Sequence, residues 1–111
     1  MLDDEVLVKA IETFGSQRQM DVLIEEMSEL TKEIIKARRN AYPEERQPIT
    51  DKMMEEFVDV TISLDQLCMM LILAHGNNRD VFDAAYSAIR MKKMNRLLRK
   101  IREAEKINEN C

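Results

Sequence analysis

Apolar residues recur at helical spacing along almost the whole chain. Met20, Leu23, Ile24, Met27, Leu30, Ile34 and Ile35 fall three and four apart, the stripe of an amphipathic helix. They predict a helix from Ser16 to about Arg39, opened by a Ser16-x-x-Gln19 capping box. A shorter helix precedes it from about Asp3 to Phe14, with Asp3 and Asp4 available as N-cap and Gly15 as its stop. Asn40 to Pro48 contains both prolines and reads as the main loop. Thr50 or Asp51 caps a third helix that ends near Ala74, with His75 as a C-terminal capping residue ahead of Gly76-Asn77-Asn78. A fourth begins near Asn78, runs past Lys106 and frays into Asn108 and Asn110. The expectation is an all-α subunit of four helices, one domain over residues 1–111.

The third helix departs from the ordinary amphipathic pattern. At about 100° per residue its polar side chains Glu55, Glu56, Asp59, Ser63 and Gln66 occupy an arc of roughly 100°. Met53, Met54, Phe57, Val58, Val60, Ile62, Leu64 and Leu67 to Ile72 fill most of the rest. A helix apolar over so much of its circumference is buried on several sides. Three other helices of a short chain can hardly cover it all, so a second copy is expected to do so, as a homodimer or homotetramer, the alternative being unusually long neighbouring helices.

Composition narrows the class. With 111 residues, 45% apolar, two Gly and two Pro, the chain can build one core but lacks the breakers of a β-sandwich. The longest apolar run, Leu67 to Ala74, is short of a bilayer span, and Met-Leu-Asp-Asp-Glu does not resemble a signal peptide. Cys68 sits in an apolar run and reads as core, and with Cys111 it makes neither a disulfide framework nor a zinc site. A cytoplasmic protein is expected. Charge is uneven: residues 1–60 carry 15 acidic and 8 basic residues, whereas residues 61–111 carry 6 and 9. The acidic total argues against a duplex nucleic-acid partner, and no membrane partner is expected. An acidic half followed by a basic segment suits a cation bound together with a phosphorylated small molecule.

Two acidic clusters could hold that cation, Glu25-Glu26-Met27-Ser28-Glu29 and Glu55-Glu56-Phe57-Val58-Asp59. Glu26 with Glu29, and Glu56 with Asp59, are three apart and so neighbours on a helix surface. If the Pro-containing loop folds the two helices back antiparallel, four carboxylates converge and repel one another. A hard divalent ion resolves this: magnesium takes oxygen ligands and commonly binds carboxylates together with substrate phosphates. Spacing alone also fits solvated acidic faces, and Glu29 lies nearly opposite the apolar stripe of its helix.

The order of these blocks, "EEMSEL" and then "EEFVDVTISLDQL", resembles the MazG-like family of all-α nucleoside triphosphate pyrophosphohydrolases. The resemblance continues through Gly76 and "KMNR", covering roughly residues 12–100. It implies magnesium, or manganese, held by Glu26, Glu29, Glu56 and Asp59, with Glu25 positioning or deprotonating the attacking water. The implied reaction converts a nucleoside triphosphate and water to the monophosphate and pyrophosphate. It also implies that Gln19 and Asp65 reach a base, although both residues equally suit a helix cap or an interface.

On the fourth helix Phe82, Tyr86 and Ile89 share one line, and Lys93 and Arg96 continue it within about 40° of Phe82. Basic residues on a core-facing line suit contacts to substrate phosphates, and the resemblance points to the same two. Arg99, Lys100 and Arg102 read as ordinary surface charge. No glycine-rich phosphate loop is present, which excludes P-loop chemistry. Two rival functions remain: hydrolysis of phosphoribosyl-ATP, and a non-catalytic helical dimer that binds protein.

Overall fold

The computed structural model describes residues 3–41 and 50–110. Among them there are four helices and no strand: α1 (Asp4–Phe14), α2 (Ser16–Ala41), α3 (Asp51–Ala74) and α4 (Arg79–Glu109). The all-α class and the element order agree with the sequence pattern. Most of the expected loop, residues 42–49, lies outside the described residues, and α2 runs to Ala41 rather than stopping near Arg39.

Side chains close the orphan amides at three helix starts. Asp3 accepts from the Glu5 N–H, Thr50 Oγ1 from the Met53 N–H, and Asn78 Oδ1 from the Val81 N–H. Gly15 serves both α1 and α2. At φ +86° it donates its N–H to the Ile11 carbonyl, and its own carbonyl accepts from the Gln19 N–H. The Ser16–Gln19 capping box does not form. Gly15 takes the cap position, Ser16 is already helical, and the Gln19 amide is buried.

Two compact units divide the chain, residues 1–71 and 72–111, with the boundary inside α3. In the first, the buried apolar side chains are Leu7, Leu23, Ala37, Val60 and Met69. Its helices α2 and α3 also bury polar groups: Gln19, Glu56 and Ser63 are among the least exposed residues described. Meanwhile Met54, Phe57, Val58, Ile62 and Leu64 of α3 are exposed, as are Met20, Ile24, Met27, Ile34 and Ile35 of α2. Polar side chains thus share the interior with apolar ones, while many large apolar side chains face outward. By length and composition α3 could cross a membrane, but Asp59 and Asp65 lie within it, and carboxylates in hydrocarbon are costly.

In the second unit, Gly76 (φ +73°) and Asn77 (φ +54°) turn the chain, and the Asn77 N–H donates to the Ile72 carbonyl. Phe82 is buried, edge-on to His75 at 6.2 Å and stacked with Tyr86 at 5.9 Å. The line it begins does not stay in the core. Tyr86 and Ile89 are more than half exposed, and Phe82 is the only buried residue of α4 among those described. Lys93 and Arg96 therefore stand on an open helix surface.

Candidate metal centre

The hairpin of α2 and α3 gives the site its order. Gln19, Glu26 and Glu33 are seven apart on α2, and Lys52, Asp59 and Gln66 are seven apart on α3. Seven residues make nearly two full turns, so each triplet stays on one helix face. Antiparallel packing pairs them in reverse order. Glu33 acts on Lys52 electrostatically, Glu26 meets Asp59, and Gln19 and Gln66 line one hollow. The seam thus carries a charged rung, a carboxylate rung and an amide rung, each about 10 Å from the next.

At the middle rung Glu26, Glu56 and Asp59 each place a carboxylate oxygen within 4.8 Å of the other two. Glu56 is only 6% exposed, Glu26 is half-buried, and Asp59 opens to solvent. Burial raises Glu26 above the ordinary carboxylate range, and the charges of Asp59 and Glu56 push it further, with smaller contributions from Glu25 and Glu29. The Lys52 ammonium lies 2.9 Å from Glu56 Oε1 and 3.8 Å from Glu55 Oε2. Its hydrogen bond to Glu56 is the main reason that Lys52 holds its proton above the usual lysine range.

Three oxygens from two helices suit a hard cation with open positions for a phosphate. The donor set fits magnesium or manganese, and the strain on Glu26 is the electrostatic condition that a cation would relieve. Because its folded-state value is raised, Glu26 contributes stability that is lost as pH rises through that value. Glu26→Gln should therefore melt higher than the parent protein near neutral pH in chelator. The difference should vanish in acid, below the ordinary glutamate range, and thermal melts at the two pH values check this.

The other expected site residues are placed differently. Glu29 does not join the three; it pairs with Lys32 at 3.5 Å and its side chain is half exposed. Glu25 is exposed. Lys93 and Arg96 line a shallow hollow of about 460 Å³ on α4 together with Ile89, Lys92, Asn95 and Arg99. Arg99, read from the sequence as surface charge, is exposed beside them. Lys52, Glu33 and Gln66 were overlooked, although the seven-residue spacing marks all three. No family model, curated protein or solved structure matches the chain.

Proposed function

We propose that the chain is a magnesium-dependent nucleoside triphosphate pyrophosphohydrolase of the MazG-like type, assembled as a homo-oligomer. The observation that carries the reading is the convergence of Glu26, Glu56 and Asp59, with Glu56 buried, in a hairpin that leaves many of its large apolar side chains outside. A subunit folding only for stability would do the reverse, because buried carboxylates cost free energy and exposed apolar surface forgoes it. The MazG-like order of the acidic blocks supplies the reaction class.

Bound magnesium supplies charge neutralisation and polarisation at the phosphates. Glu26, Glu56 and Asp59 hold it, and Glu29, one turn from Glu26, joins them when its pair with Lys32 opens. Glu25 orients the water or accepts its proton. Lys93 and Arg96, exposed on α4, are the residues to which the resemblance gives the offsetting of phosphate charge. Water adds at the α-phosphorus, the α–β anhydride bond breaks, and pyrophosphate departs, leaving the nucleoside monophosphate.

The test is pyrophosphate release from a panel of canonical and modified nucleoside triphosphates, with magnesium and with chelator. Metal-dependent release with stoichiometric monophosphate is expected. Silence on the panel with turnover of phosphoribosyl-ATP would transfer the chemistry to that substrate. Silence on both, with no magnesium-dependent rise in melting temperature, would leave the protein-binding dimer.

A further inference from the structure

Local helix physics does not account for Lys52. The residue follows Asp51, the first of α3, and the Thr50 cap. The amide dipoles of a helix start favour carboxylates and disfavour an ammonium there. The order is also the poorer one for an ion pair within a helix, since a glutamate four residues before a lysine does better than the reverse. Yet the Lys52 ammonium lies 2.9 Å from Oε1 of Glu56, the most buried carboxylate of the middle rung. Glu33 attracts it from α2 as well. The long stem reaches in from outside: the Lys52 side chain is 57% exposed, while the carboxylate it meets is buried.

We propose that Lys52 is a displaceable internal counter-ion, whose ammonium neutralises Glu56 in the absence of metal and withdraws towards Glu55 when a divalent ion takes that carboxylate. The inference rests on the reading of Glu26, Glu56 and Asp59 as a metal centre. Three observations carry it. The pair joins a buried oxygen to an exposed ammonium on a flexible four-carbon stem, so Lys52 can swing into water while Glu56 stays in place. Glu55 Oε2 stands 3.8 Å from the same ammonium and, with Glu33, gives the freed charge a place to rest. Glu26 and Asp59 bring their carboxylate oxygens within 4.8 Å of that of Glu56, more negative charge than one ammonium offsets. Lys52 thus acts through Glu56, as a positioning residue. It keeps the affinity of the site for a bare divalent ion low, so that phosphate oxygens are needed to complete the coordination.

Calorimetry and thermal melts on the full chain test this, with magnesium alone as the ligand. Lys52→Met and Lys52→Gln remove the charge, and Lys52→Arg keeps it. Repulsion between an ammonium and a divalent ion roughly 6 Å away in a water-like medium corresponds to about tenfold in affinity. The neutral variants should therefore bind magnesium about tenfold more tightly than the parent protein, and Lys52→Arg within about threefold of it. In chelator the neutral variants should melt below the parent, because Glu56 has lost its partner. At saturating magnesium they should melt no lower than the parent. An ion pair serving stability alone would lower both melting temperatures equally and leave the affinity unchanged, which would overturn the proposal. Weaker magnesium binding in the neutral variants would overturn it too, by making Lys52 a support that holds Glu56 ready for the metal. In both cases the parent protein still binds magnesium and the pyrophosphohydrolase reading stands. No magnesium binding by the parent or by any variant would overturn both proposals.

Discussion

Glu56→Gln is expected to abolish pyrophosphate release while leaving the helices intact. Glu56 is the most buried carboxylate of the three, and its neighbours Glu26 and Asp59 lie within ligand-sharing distance of it. Replacing the carboxylate by a neutral amide removes one of the charged oxygens that the proposed site offers a cation. Stabilisation of the transferring group by that cation is worth several kcal/mol, and each 1.4 kcal/mol is tenfold in rate, so a loss of about a thousandfold or more follows. The fold should tolerate the change. The ion pair that is lost reaches to an exposed Lys52 ammonium, and such pairs contribute about 0–1 kcal/mol. The relief of repulsion on Glu26 acts in the opposite direction. Circular dichroism should therefore match the parent protein, and the rise in melting temperature on adding magnesium should disappear with the activity. Full activity in this variant would remove the carboxylate rung from the mechanism.

The helices and most of their boundaries were legible because the signals that set them are local. Asp3, Thr50, Asn78 and Gly15 act within one turn of their own position, and a local pattern is enough to find them. Gln19 shows where local reading fails. Ser16-x-x-Gln19 has the composition of a capping box, but the positive φ of Gly15 moves the cap back by one residue. The Gln19 side chain is then left to the seam. The pairs Glu26 with Glu29 and Glu56 with Asp59 were visible as same-helix neighbours, whereas the choice among them depends on interhelical register. Register lies in the recurrence of polar residues every seven positions on both helices, a long-range signal that a scan for three-apart carboxylates misses. The Lys93–Arg96 line was drawn correctly on the wheel. What the wheel does not contain is that burial on α4 stops after Phe82.

Phe57→Glu is expected to break the proposed homo-oligomer, in which a second copy covers the apolar face of α3. On the helical wheel Leu64, Phe57, Met54, Val58 and Ile62 fall in that order over an arc of roughly 160°. Glu56 lies on the opposite side of the helix from the middle of that arc, so the inward polar face and the outward apolar face have the same cause. Phe57 is 53% exposed and the others in the arc are likewise open, an apolar patch of the kind that marks an interface. A second copy covering it gains about 1.5–3 kcal/mol for each side chain fully buried, and a glutamate within it loses that gain and adds the cost of desolvating a charge. The dissociation constant should rise by about a hundredfold or more. Sedimentation at micromolar concentration should show an oligomer for the parent protein and a monomer for Phe57→Glu. Helix content in the variant should persist, because in the isolated subunit this side chain already faces water. A parent protein that sediments as a monomer would contradict the reading and leave the outward apolar face without its occupant. A variant that stays assembled would place the interface elsewhere, with the exposed Met20, Ile24, Met27, Ile34 and Ile35 of α2 as the next surface to charge.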